Sequence, residues 1–345
     1  MSDRQCPHIA EWDMYDLDFR SDPFPVYSQF RAETPVGRCD MYGGFWAIST
    51  YEDVRRIAQD SENFLSGEGV LIPPLPFEGR ALPMESDPPR HAALRRLLQH
   101  EFMPAAVAAR ESGVRATARE LIARFAARGE ADLSEDFAKP LPSAVICQLL
   151  AIEDIGADMQ VWAETMVYDR KRPDEVRKAA DNLLGFFREL IPVRRASPGD
   201  DIISQLIGSK VDGHPLDDRT VLDFCWFLMV AGLDNTAFTI RNLLLQIQHR
   251  PDLREKLLAE PGLIPLAVEE TLRLYSPVWG LARTTACPVE VGGQAIPAGD
   301  KVLLLYASAD RDPARFPLPD DFQFDRPRNE HVAFGVGRHS CLGAN

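Results

Sequence analysis

Apolar residues recur at helical spacing along most of this chain, and at strand spacing in only a few short runs. A short helix is predicted from Ser21 to Ala32, with Pro23 and Pro25 near its start and Val26 and Phe30 on one face. Gly43-Gly44 turns the chain into a strand at Phe45 to Ile48, and Thr50 stands where it would cap a helix running through Val54 to Ala58. Amphipathic helices are expected from Ala116 to Ala127 and from Pro140 to Leu150, with breaks at Gly129, Ile155-Gly156 and Asp169 to Pro173. Ser197 to Asp201 reads as a turn, and Gly208 to Pro215 as a polar connector. Val289 to Val291 and Gln294 to Ile296, joined by Gly292-Gly293, read as a β-hairpin, followed by a buried strand at Lys301 to Leu305.

The longest pattern runs from Leu216 to Arg250, between Pro215 and Pro251. At about 1.5 Å per residue such a helix spans roughly 50 Å. Its centre, Phe224 to Leu233, is apolar on every face, yet Asp223 and Asp234 bracket far fewer than the about twenty residues a membrane span requires. A buried core helix is therefore expected. Asp234-Asn235-Thr236 closes that apolar run beside Gly232, and a buried carboxylate without partners is costly, which makes the cluster a site candidate. Phe64 to Pro83 reads as a long loop that is apolar at Val70, Leu71, Ile72, Leu75 and Phe77. Such a loop packs on a core or lines a ligand pocket.

Composition narrows the function. The 345 residues are 45% hydrophobic and carry a formal charge of −14, with no basic stripe, which argues against nucleic acid. Six widely scattered cysteines with no C-x-x-C point to reduced thiols in a cytosol. The polar start at Met1 to Cys6 is read as lacking a signal peptide or membrane anchor, so a soluble, cytoplasmic protein is expected.

The chemistry concentrates in Phe334-Gly335-Val336-Gly337-Arg338-His339-Ser340-Cys341-Leu342-Gly343. Glycines at this spacing suit a tight loop with one sulfur at its tip, its following amides aimed at a thiolate. A single thiolate is wrong for zinc or an iron–sulfur cluster, which take about four protein ligands, but suits one axial ligand of a haem. The pattern Phe334, Gly337, Cys341, Gly343 resembles the haem-binding loop of the cytochrome P-450 superfamily.

The resemblance extends from about residue 20 to the end and carries further expectations. It implies a mainly helical fold with a small β region, a long central helix crossing the molecule over the haem, and a single domain over 1–345. Cys341 is the implied metal ligand and haem b the cofactor, with Phe334 and Gly343 in its loop. Asp87-Pro88-Pro89-Arg90-His91 starts a helix that puts His91 and Arg95 on one face. Taken alone that is a solvated basic face; by resemblance it meets the haem propionates, together with Arg283 and His339. Ala231-Gly232-Leu233-Asp234-Asn235-Thr236 is similar to the family's oxygen-binding groove, Ala-Gly-x-Asp/Glu-Thr-Thr. Asn235 stands where the family has its first threonine, and Thr236 lies about 100° further round the helix. Asp234 is the expected proton-relay carboxylate and Asn235 an anchor for water or substrate.

Glu270 and Arg273 match the family's buried Glu-x-x-Arg pair; a later arginine joins it, with Arg328 fitting the spacing best and Arg326 as the alternate. Leu75, Phe77, Leu228, Ala231, Val278 and Trp279 are the apolar substrate candidates. The implied activity is hydroxylation of a small hydrophobic, terpenoid-sized molecule with O2 and two electrons from a separate ferredoxin- or flavodoxin-type donor. Arg95, Arg96 and Arg338 would form the donor's docking patch. A peroxide-driven haem enzyme and a non-catalytic haem ligand-binding protein are the alternatives. The chain stops at Asn345, where the family continues into a further helix and strands.

Overall fold

The computed structural model describes residues 9–153, 156–326 and 328–344. Expectations touching Cys6, Ile155, Pro327 and Asn345 lie outside the described residues. The backbone separates into two compact units, one from the described residues of Met1–Pro74 and Gln246–Cys341, the other from those of Leu75–Leu245 and Leu342–Asn345.

The first unit is built on a mixed sheet that, among the described residues, has five strands in the order Val36–Cys39, Phe45–Ile48, Lys301–Leu304, Leu281–Thr285, Phe64–Leu65. Lys301–Leu304 pairs parallel to Phe45–Ile48, with Ala47 opposite Leu303, and antiparallel to Leu281–Thr285, with Arg283 opposite Val302. Successive side chains of a strand point to opposite faces, and this central strand is apolar on both. Val302 and Leu304 join Ile48, Val54, Ile57 and Phe316 in one core, while Leu303 joins Trp12, Phe30 and Phe45 in another. The hairpin of Val289–Val291 and Gln294–Ile296 forms as expected, with Gly292 at φ 55° and Gly293 at φ 75° supplying the left-handed turn. Phe64–Leu65 pairs with the sheet, and Val70 and Ile72 after it are buried, so this half of the apolar loop packs on a core.

The second unit is helical. Arg90–Gln99, Pro140–Leu150, Gly156–Tyr168, Pro173–Ala196 and Ile202–Gly208 share one core with the long helix Asp218–His249. Leu98, Leu150, Phe187, Leu206, Phe224 and Met229 meet in it. The long helix starts two residues later and ends one earlier than the apolar pattern predicts, because Pro215 belongs to a ribbon. There Lys210–Val211 pairs with His214–Pro215 across Asp212 and Gly213, both at positive φ, so the polar connector is a small hairpin. The helix passes Gly232 without a break, and Phe227, Val230 and Ala231 are only half-buried, so its centre is less enclosed than its composition implies. By length and hydropathy it could cross a membrane, but 61% of its apolar window is buried inside the protein, as in a core helix.

Other local expectations shift. The helix expected from Ser21 to Ala32 forms as Phe24–Glu33, and a short helix, Leu17–Ser21, precedes it where none was expected. Thr50 precedes the helix Tyr51–Gln59 but its hydroxyl caps no amide and donates instead to Asp53 Oδ2 at 3.1 Å. The helix expected from Ala116 begins at Pro104 and runs to Ala126 with only Leu121 fully buried, so it is less amphipathic than predicted.

Candidate active site

In the first unit the glycine-rich loop forms as the sequence requires. Gly335 and Gly337 sit at φ 63° and 77°. A Cβ on Gly337 would lie 3.0 Å from the Ala58 carbonyl oxygen, so this position needs glycine for space as well as conformation. Gly335 N–H donates to Val332 O at 2.8 Å, and Cys341 N–H donates to Phe334 O at 2.8 Å. These bonds pin both ends of the loop and leave Cys341 exposed between the short 3-10 turns Gly337–His339 and Leu342–Ala344. His339 is half-buried on the first turn, and Gly343 is exposed on the second.

Two observations bear on whether these residues fit a haem. Cys341 offers one exposed sulfur, which suits one axial ligand of a metal whose remaining ligands come from a macrocycle. Arg283 is buried on the strand Leu281–Thr285, donating Nη1–H to the Ala282 carbonyl at 2.8 Å. Among the described residues no carboxylate lies within ion-pair distance of it, and a buried guanidinium calls for an anion such as a propionate. The residues present fit the group.

Behind the loop, Glu270 and Arg273 on the helix Ile264–Leu274 are both fully buried. Arg273 donates Nε–H and Nη2–H to the two Glu270 oxygens, each at 2.8 Å. The third partner is Arg326 and not Arg328: Arg326 Nε–H reaches Glu270 Oε1 at 2.9 Å, while Arg328 is exposed. Gln323 N–H and Asn329 Nδ2–H also donate to Glu270, so every lone pair of the carboxylate is engaged. Arg326 wins over the spacing because it caps the turn as well, donating to the carbonyls of Pro317, Leu318 and Asp321.

In the second unit Asp234 is buried on the long helix. It accepts a hydrogen bond from the Tyr168 hydroxyl at the end of Gly156–Tyr168, and Arg241 Nη2 lies 3.8 Å from its Oδ1. Burial pushes the Asp234 carboxyl above the usual carboxylate range, opposed by the Tyr168 hydrogen bond and the Arg241 charge. Tyr168 and Arg241 escaped the sequence reading. Arg241 follows Asp234 by seven residues, two helical turns, and could have been found on that spacing; Tyr168 is 66 residues away and carries no such signal. Asn235 is half-buried and donates Nδ2–H to Ala231 O at 3.5 Å, while Thr236 is exposed. The regular helix leaves no rewound turn that would bring Thr236 to Asn235's position. His91 is buried at the start of Arg90–Gln99 and Arg95 is half-buried one turn on, so the pair is not a solvated face.

The apolar candidates are divided between the units. Phe77 lies edge-on to Trp226 with centroids 5.5 Å apart, and Leu75 packs beside it on the helical core. Leu228 is in that core and Ala231 is half-buried. Val278 and Trp279 belong to the first unit, where Trp279 meets Phe19 edge-on at 5.7 Å, so its ring is shared with core packing.

A family model described as cytochrome P450 matches residues 160–345. Among curated proteins, the cytochrome P-450 monooxygenase PikC of Streptomyces venezuelae is 35% identical over 348 residues, covering 98% of this chain and 83% of that protein. The linalool 8-monooxygenase of Pseudomonas putida is 30% identical over 355 residues, covering 95% and 86%. Among solved structures, the Mycobacterium marinum cytochrome P-450 CYP268A2 in complex with pseudoionone aligns with a TM-score of 0.88 at 31% identity, over 98% of this chain and 89% of that one.

Proposed function

The chain belongs to the cytochrome P-450 family and is an oxidoreductase of the monooxygenase class, and from that premise we propose that it hydroxylates a small hydrophobic molecule at a haem b held by Cys341. The observation that carries the proposal is the exposed Cys341 on a loop whose glycines and end-to-end hydrogen bonds fix one sulfur. When bound, thiolate-ligated haem supplies the electron donation that favours O–O cleavage. His91, Arg95, Arg283 and His339 would hold its propionates, and the buried Arg283 supports this most directly. Asp234 would hold and release protons at its carboxylate oxygens, with Tyr168 as the neighbouring donor, and Asn235 would orient water or substrate through its amide.

Leu75, Phe77, Leu228, Ala231, Val278 and Trp279 would contact the substrate. One relative is named a linalool 8-monooxygenase and one similar structure holds pseudoionone, both small and mostly apolar molecules, which supports a terpenoid-sized substrate. Electrons would come from a separate ferredoxin- or flavodoxin-type donor, with the exposed Arg96 and Arg338 and the half-buried Arg95 as docking cations in a cytoplasmic setting. The test is a titration of the haem-loaded protein with linalool and similar terpenoids, followed by turnover with NADH and a ferredoxin couple. A substrate-dependent change in the haem absorption and a hydroxylated product support the proposal. Product with peroxide alone, and none with any electron donor, would overturn the two-electron route.

A further inference from the structure

The chemistry above leaves unused a buried acid in the first unit. Asp310 is fully buried in the turn Ala309-Asp310-Arg311-Asp312. Its Oδ1 accepts the Val332 N–H at 2.6 Å and its Oδ2 accepts the Ser276 hydroxyl at 2.9 Å. Its carbonyl accepts Arg273 Nη1–H at 2.7 Å, which ties the same residue to the Glu270–Arg273–Arg326 cluster. Asp310 therefore stands between that rigid cluster and the segment that enters the cysteine loop.

That segment is fixed at five successive residues, Glu330 to Phe334. The Glu330 carbonyl accepts the Tyr51 hydroxyl at 2.6 Å. The His331 ring, 4% exposed, has Nε2 2.9 Å from Glu269 Oε2, and its Nδ1 accepts the Ala333 N–H at 3.3 Å. Val332 N–H goes to Asp310, and Val332 O accepts from Gly335, the first residue of the loop at positive φ. Phe334, whose ring lies 5.8 Å from that of His331, then accepts the Cys341 N–H. A side-chain acceptor in the core thus reaches the sulfur-bearing residue through two short backbone bridges.

We infer that Asp310 is a positioning residue for Cys341: by accepting the Val332 N–H it sets the seat of the loop, and what the site requires there is an acceptor of this length. The inference rests on Cys341 being the iron ligand. Asparagine keeps the acceptor and drops the charge; alanine drops both and leaves the Val332 N–H buried without a partner.

The experiment compares the haem-loaded parent with Asp310→Asn, Asp310→Ala, Cys341→Ser and Leu253→Ala, a buried leucine elsewhere in the unit. Two quantities are read: the fraction of reduced, CO-bound protein showing the thiolate-ligated band, and hydrogen exchange at the Val332, Gly335 and Cys341 amides. Asp310→Ala is expected to lose at least half of the thiolate band and to speed exchange at Val332 about tenfold or more. Asp310→Asn and Leu253→Ala should keep the parent's band, and Asp310→Asn its protection at Val332. Should Asp310→Ala fail to fold, Asp310→Ser, whose hydroxyl is shorter than the carboxylate, is read in its place with the same expected losses. A full thiolate band and unchanged Val332 exchange in the alanine or serine variant would overturn the inference, as would loss of the band in Asp310→Asn. If Cys341→Ser abolishes the band and Asp310→Ala does not, only the positioning role fails; if Cys341→Ser leaves the band intact, the ligand assignment itself fails.

Discussion

Replacing Asp310 by asparagine should stabilise this protein at neutral pH, and the gain should vanish in acid. Burial, opposed by the His331 and Arg273 charges and by the bonds from Val332 and Ser276, pushes the Asp310 carboxyl from 3.8 up to about 6. An acid whose folded pKa is raised binds more protons folded than unfolded between those two values. Its stabilising contribution is therefore complete below pH 3.8 and is lost as the pH rises through 6. A shift of about two units at about 1.4 kcal/mol each amounts to about 3 kcal/mol at pH 7. Asparagine resembles the protonated acid, since its Oδ1 can accept the Val332 N–H and its Nδ2 can donate to Ser276 Oγ. Ser276 has a second acceptor for its own hydrogen in the Leu272 carbonyl at 3.3 Å. Urea unfolding of both proteins from pH 4.5 to 7.5 gives the difference directly, because groups common to both cancel. The difference should grow by about 2 kcal/mol across that interval in favour of Asp310→Asn. A flat difference, or an asparagine variant that is the weaker one at pH 7, would refute the reasoning.

Two other perturbations separate the roles assigned here. Arg326→Ala breaks a buried, fully bonded ion cluster and should cost about 3–5 kcal/mol, whereas Arg328→Ala, at an exposed position, should stay within about 0.5 kcal/mol by the same unfolding assay. Tyr168→Phe removes a donor that favours the ionised form of Asp234, so the carboxyl should rise further and the acid limb of the turnover profile should move to higher pH. An unmoved limb would remove Tyr168 from proton delivery.

How much of this could be read in advance depended on how local the physics is. The Gly292-Gly293 hairpin and the positive φ at Gly335 and Gly337 follow from backbone sterics within a few residues, and both were legible. So was the Glu270–Arg273 pair, whose members are one helical turn apart. The choice of Arg326 over Arg328 was not, because spacing alone does not reveal which guanidinium also finds the Pro317, Leu318 and Asp321 carbonyls. Nothing local in the sequence marks Asp310; only the packing of Val332 and Ser276 around it makes it a buried acceptor. Tyr168 joins Asp234 across separate helices, and no periodicity encodes such a meeting.

The sharpest measurement is the absorption spectrum of the reduced, CO-bound protein, taken for the parent and for Cys341→Ser. The parent should bind one porphyrin iron per chain and display a thiolate-ligated CO band, and the serine variant should lose that band. A parent that carries no porphyrin, or a serine variant whose spectrum matches the parent's, would contradict the assignment of Cys341 and the site built around it.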